Sequence, residues 1–214
     1  MKNSSYLAAA LMLAFPAVCL SQVTEGKYVG WSAGQSMTKF DTSNNAFGVP
    51  NLSETYDKSE SAFKFFAGYS FNKTWALEAG YAGLGTPKID YTGSGIFANT
   101  VGRASMKNTA WYLSGKGTLP ITSSVGVFAK LGMTGNKSDF TASTNSAAVN
   151  TLAGFPIAKT KVRTGPVVGI GIEYRLSEKF SLRAEFEDFG KFNNDMDAGH
   201  TSMSLWSIGS TYSF

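Results

Sequence analysis

From residue 61 onward the chain repeatedly sets bulky apolar side chains against small, polar or charged ones, with the period of two that marks a strand whose two faces meet different surroundings. In 61–71, Phe63, Phe65, Ala67, Tyr69 and Phe71 share one face, and Lys64, Phe66, Gly68 and Ser70 the other. In 74–84, Trp75, Leu77, Ala79 and Tyr81 oppose Ala76, Glu78 and Gly80. The same alternation predicts strands over 108–119, 124–135, 162–174, 179–189 and 202–214, and a further strand is read over 26–36. The fold class is all-β, an eight-stranded antiparallel up-and-down barrel.

The connections differ on the two sides. Asn72-Lys73, 120–123 and 176–178 are short turns. Residues 37–60, 85–107, 136–161 and 190–201 are read as long polar loops rich in Asn, Ser, Thr and Gly. Short turns at one end and long loops at the other are the signature of an outer-membrane barrel. An even strand number lets the last strand pair antiparallel with the first and removes the sheet edges. In hydrocarbon every backbone N–H and C=O needs an internal partner, so an exported chain without an apolar helix crosses only as a closed barrel. Tyr28, Tyr69, Trp75, Tyr81, Trp111, Tyr174 and Tyr212, near strand ends, suit the interfacial aromatic girdles.

The N-terminus changes the picture from a β-protein to an exported one. Lys2 precedes an uncharged run over 6–20. That run falls short of the about 20 apolar residues a membrane-spanning helix requires. It reads as a secretory signal over 1–21, cleaved after Ser21, with Ala17 as the alternative, leaving 22–214 as the barrel domain. Cys19, the only cysteine, lies within it. Pro16-Ala17-Val18 fits a lipoprotein cleavage box badly, so a mature chain without thiols is expected, with no disulfide and no thiol nucleophile. One histidine and no mature cysteine exclude ordinary zinc patterns. No phosphate-loop motif occurs, and no cofactor is expected. A net charge of +4, with basic residues scattered among acidic ones, argues against nucleic acid.

Phe65-Phe66-Ala67-Gly68-Tyr69-Ser70-Phe71-Asn72 and Ala76-Leu77-Glu78-Ala79-Gly80-Tyr81 resemble the second and third strands of the OmpA-like transmembrane barrel family. Lys116 to Thr122, Phe128 to Gly132, Gly169 to Tyr174 and Leu182 to Phe186 are similar to its later strands, in order. The resemblance implies a cell outer-membrane location, with lipid and lipopolysaccharide around the barrel. It also implies handling by periplasmic chaperones and the barrel-assembly machinery, for which Tyr212 and Phe214 resemble the C-terminal assembly signal. The chain is expected to stop at the barrel, without the wall-binding domain of larger members.

Lys64, Glu78, Lys116, Lys130, Glu173, Arg183 and Glu185 fall on the presumed inward faces, where a charge must be paired or hydrated. The resemblance places Glu78, Lys116, Glu173 and Arg183 at the family's proposed gate, in which Glu78 exchanges between Arg183 and Lys116. Two readings follow: a lumen locked by ion pairs, with host or surface ligands met through the loops, and a narrow ion-conducting pore. A third is lipid A deacylation, through His200 and Ser202 with Asp195 or Asp197. An exposed histidine explains that motif more simply, so no enzyme is expected.

Overall fold

The computed structural model describes residues 25–40, 52–56, 59–93, 99–147, 150–151, 156–193 and 200–214. The expected signal segment, 1–21, therefore lies outside the described residues, as do Asp195 and Asp197.

The described strands are β1 (Gly26–Phe40), β2 (Leu52–Tyr56), β3 (Ser59–Ser70), β4 (Trp75–Gly83), β5 (Lys88–Gly93), β6 (Val101–Pro120), β7 (Val125–Thr144), β8 (Ile157–Arg175), β9 (Phe180–Asn193) and β10 (His200–Ser213). Eight of them close a ring in the order β1, β3, β4, β6, β7, β8, β9, β10 and back to β1. The closing ladder runs antiparallel from Tyr28↔Ser213 to Phe40↔Thr201. Beyond that ring, β2 pairs with β5 and β5 with the start of β6.

The three short turns share one construction. Asn72 Oδ1 accepts the N–H groups of Thr74 (2.9 Å) and Trp75 (2.8 Å). Thr122 Oγ1 does the same for Ser124 (3.2 Å) and Val125 (3.0 Å), and Ser177 Oγ for Lys179 (3.3 Å) and Phe180 (3.1 Å). A side-chain oxygen two or three residues before its donors substitutes for a backbone turn bond, which is why Asn, Thr and Ser stand there.

The outer face is a band of exposed apolar side chains, such as Trp111 (65%), Leu131 (68%) and Ile208 (70%). Within this band Lys64, Glu78, Lys130, Arg183, Glu185 and Glu187 point inward. This is the alternation of a barrel in lipid and the reverse of a soluble one. Large inward side chains need space, and inward glycines supply it. A Cβ on Gly68 would stand 2.2 Å from the Tyr28 ring, and one on Gly171 would stand 2.3 Å from the Phe128 ring. Among the described residues no helix is long and apolar enough to cross a membrane, so strands do the crossing.

Two sequence expectations change. The described residues of 37–60, 85–107, 136–161 and 190–201 are in large part strand, because β1 and β6 to β10 run on past the apolar band and β2 and β5 join them. The reason is that the apolar residues change face. On β6 and β7 the exposed hydrophobes are Trp111, Leu113, Leu131 and Met133, but further along the buried ones are Ala104, Met106, Phe140 and Ala142. Tyr28, expected in a girdle, is instead buried in the lumen.

Candidate functional site

The inner faces of β3, β4, β6, β7, β8 and β9 bring eight charged side chains together across the ring. Glu78 accepts from Arg183 Nη1 (2.9 Å) and from Lys130 Nζ (2.6 Å). Lys130 also donates to Glu185 (2.8 Å) and Glu187 (2.9 Å). Lys64 bridges the same two carboxylates from the opposite wall, and Lys116 pairs with Glu173. Two phenols complete Glu78: Tyr28 donates at 3.2 Å and Tyr112 at 3.0 Å.

The centre of the layer is buried, and the layer as a whole is neutral. Lys64, Glu78 and Glu187 have no exposed surface, and Arg183 and Glu185 have almost none. Four cations, Lys64, Lys116, Lys130 and Arg183, face four carboxylates, Glu78, Glu173, Glu185 and Glu187. An unpaired charge here would cost several kcal/mol, of order 3–5 when one partner of a buried pair is removed. The rings add to this. The Arg183 guanidinium carbon lies 4.4 Å from the Phe66 centroid and 4.7 Å from that of Phe128, a geometry in which a desolvated cation gains on the order of 2 kcal/mol.

The layer has different neighbours on its two sides. Toward the short turns lies a vestibule of about 400 Å³, whose lining includes Lys116, Glu173, Ser181 and Thr211. Toward the extension, the next inward residue after Glu187 is Phe189, after Lys64 it is Ala62, and after Tyr112 it is Ala110. With Ala82, Leu84, Val167, Met203 and Leu205 these form a buried, mainly apolar level, into which the buried Ser36 and Asn136 also point, opposite Leu205 and Ala110 on their ladders. Tyr112 meets Phe189 edge-on, at 6.1 Å between centroids.

Each sequence-derived site residue has a definite place. Glu78, Lys130, Arg183 and Glu185 form the centre, while Lys116 and Glu173 form a separate pair at the vestibule. The second cation on Glu78 is therefore Lys130 and not Lys116. Glu187 was absent from the candidate network, although its period-two position beside Arg183 and Glu185 could have placed it there. The bond from Tyr112 to Glu78 was not legible in the sequence. Tyr212 packs on Phe180 (5.0 Å) and Phe214 (5.3 Å) at the turn end of the ring, and the Phe214 N–H bonds the Lys27 carbonyl (3.1 Å). His200 opens β10 opposite Asn193.

An eight-stranded ring with an apolar exterior and a charge-filled interior defines an outer-membrane β-barrel. The chain belongs to the OmpA-like transmembrane domain family, whose model matches residues 22–214. No curated protein matches the sequence. Among solved structures, the fold is similar to Ail, the attachment invasion locus protein of Yersinia pestis, with 18% identity over 89% of this chain and 100% of that one and a TM-score of 0.51. It is similar to Neisserial surface protein A, with 14% identity over 88% of this chain and 97% of that one and a TM-score of 0.53. The outer membrane protein OprG of Pseudomonas aeruginosa gives 18% identity over 89% and 97%, with a TM-score of 0.55.

Proposed function

We propose that this protein is a closed outer-membrane scaffold that carries a sheet extension for contacts at the cell surface, and that it is neither a pore nor an enzyme. The observation that supports this most directly is the stacking of the two lumen layers. An ion would have to break a buried, neutral set of salt bridges and then pass Leu84, Phe189, Met203 and Leu205, at a level where the buried Ser36 and Asn136 side chains are already hydrogen-bonded to the Leu84 and Phe189 carbonyls. Meanwhile β6 and β7 run for 20 residues each, about twice the 9–11 that cross a bilayer. Two structural neighbours carry surface names, an attachment invasion locus protein and a surface protein, in keeping with that emphasis.

Within this reading, residues 1–21 are a cleaved export signal, and Tyr212 and Phe214 are the strand end that the assembly machinery reads. Planar-bilayer recording of refolded residues 22–214 is the test. Silence from a barrel whose folding is verified by circular dichroism is expected. Discrete openings that change with Glu78→Ala would replace the scaffold with the narrow pore.

A further inference from the structure

We propose that the vestibule at the turn end of the ring binds a dipeptide by both of its charged ends, the ammonium on Glu173 and the carboxylate on Arg175. The inference goes beyond the scaffold reading and rests on it in one respect, that the lumen behind the vestibule is closed.

The vestibule, at about 400 Å³, falls inside the roughly 300–1,000 Å³ range of ligand sites. Its inner end is the salt-bridge layer, and its outer end is the ring of short turns, which face the periplasm in an outer-membrane barrel. It is therefore a cup with one mouth. Strand periodicity decides what lines it. Glu173 and Arg175 are two residues apart on β8 and share the inward face. Across the ladders Arg175 stands opposite Ser181, and Ser181 opposite Thr211. One row thus reads guanidinium, hydroxyl, hydroxyl, with a carboxylate one row deeper.

The charges set the direction of a ligand. Lys116 donates to one oxygen of Glu173 from behind, and its ammonium lies 4.8 Å from the Phe128 centroid. Of the two side chains the carboxylate is the more exposed, 22% against 8%, so a group entering the cup meets an anion at the floor. Arg175 is tethered at the mouth by a bond from Nη1 to the Ser123 carbonyl (3.3 Å). Its other N–H groups suit a carboxylate, taken as a two-bond fork. Two cations, Lys73 and Arg175, and one carboxylate, Glu178, line the rim, which is therefore positive. An ammonium fits the floor and a carboxylate fits the rim.

The spacing sets the length. At a rise of about 3.3 Å per residue, Glu173 and Arg175 stand roughly 7 Å apart. The ends of an extended dipeptide separate by about the same distance, because its backbone has the same rise. A free amino acid carries both charges on one carbon and cannot span the pair. The hydroxyls serve the amide between the ends. Thr211 and Ser181 are 6% and 8% exposed, and Thr211 Oγ1 has no hydrogen-bond partner among the described residues. A buried hydroxyl left unpaired is costly. Rotation about its Cα–Cβ bond turns it to the cavity that Thr211 lines, where it can donate to a peptide C=O or accept from a peptide N–H.

The probe is dialanine, titrated into the refolded, isotope-labelled barrel in detergent and followed by amide NMR shifts. Saturable shifts at Glu173, Arg175, Ser181 and Thr211 are expected. Arg175→Gln, at the rim, should weaken binding about threefold or more. Thr211→Val, which keeps the side chain's shape, should weaken it by about the same factor. Glu173→Gln should weaken it about tenfold, because a bond to a charged group is lost. Lys191→Ala, toward the other end of β9, is the control and should leave binding unchanged. Alanine lacks the spacing, and N-acetylated, C-amidated dialanine lacks the charges, so each should bind about tenfold more weakly or less. Absence of saturable shifts, equal binding of either analogue, or full-strength binding by both Arg175→Gln and Thr211→Val would overturn the inference. Folding of each variant is checked by heat-dependent gel mobility. Channel recording remains the test of the scaffold: openings alongside intact dialanine binding would remove the scaffold and spare this site, and silence without binding would do the reverse.

Discussion

The two halves of β6 and β7 are continuous strands in one register, yet they are built oppositely. In the half within the apolar band, Trp111, Leu113, Leu131 and Met133 face out, and Ser114, Lys116 and Lys130 face in. In the half beyond it, Ser105 and Lys107 face out, while Ala104, Met106, Phe140 and Ala142 are buried. The ladder between the strands runs unbroken from Gly102↔Thr144 to Pro120↔Gly126. What differs is the solvent. Lipid outside leaves the interior to hold the charges, and water outside restores an apolar interior, so the preferred face of apolar residues changes where the surroundings change. Backbone pairing and hydrophobic patterning are thus separable, and the second reports the environment.

Four substitutions probe that contrast. The largest effect is expected inside the band. Lys130→Met leaves Glu78, Glu185 and Glu187 without the cation they share, and should lower unfolding free energy by about 3–5 kcal/mol, measured by urea unfolding in lipid vesicles. On the outer face of the same strand, Leu131→Arg should cost about 2–4 kcal/mol because it puts a charge in hydrocarbon. The corresponding Thr141→Arg in the extension should stay within about 0.5 kcal/mol. Similar costs at the two sites would mean that the proposed membrane boundary is misplaced. Met106→Ala should loosen the extension by about 2 kcal/mol, seen as faster amide exchange in β5 to β7, with the barrel's unfolding midpoint unchanged.

The smallest effect is electrostatic and confined to the surface. The hydrogen bond from Arg103 holds the Asp90 carboxyl below its ordinary range. A carboxylate with a lowered folded-state pKa stabilises above its unfolded value, and that contribution is lost as pH falls through the lowered one. Amide exchange in the β5–β6 hairpin should therefore quicken only in acid below the usual carboxylate range, and Arg103→Ala should remove the pH step. An identical acid response in the variant would assign the step to another group.

The same contrast explains how much could be read in the sequence. Strands inside the band announce themselves, because Phe63, Phe65, Ala67 and Tyr69 alternate with Lys64, Phe66 and Gly68 without interruption. The ring and the side on which its charges lie were legible from such runs. The extension was not. On β7 the apolar positions pass from Leu131 and Met133 to Phe140 and Ala142, a change of face that breaks the period-two signal midway along an intact strand. Site membership was legible by parity, since inward charges alternate with outward hydrophobes. The partners were not, because Lys130 meets Glu78 and Glu185 across the lumen, and no spacing along a strand encodes a contact through the interior. Tyr28 illustrates the limit. Its position near a strand end suits a girdle, and only the absence of a side chain on Gly68 reveals the room that turns it inward.

The ladder between β1 and β10 has a consequence for how the molecule comes into being. It joins nearly the most distant described parts of the chain, from Tyr28↔Ser213 upward. Contacts between distant segments are slow to form, because loop entropy must be overcome before any bond is gained. Until that seam forms, β1 and β10 are both bare edges in a medium that cannot hydrogen-bond them. A chain stalled one seam short of completion presents two templates for pairing with its neighbours. The step that most needs a catalyst is the last one, and a suitable catalyst holds both edges of the growing sheet until they meet.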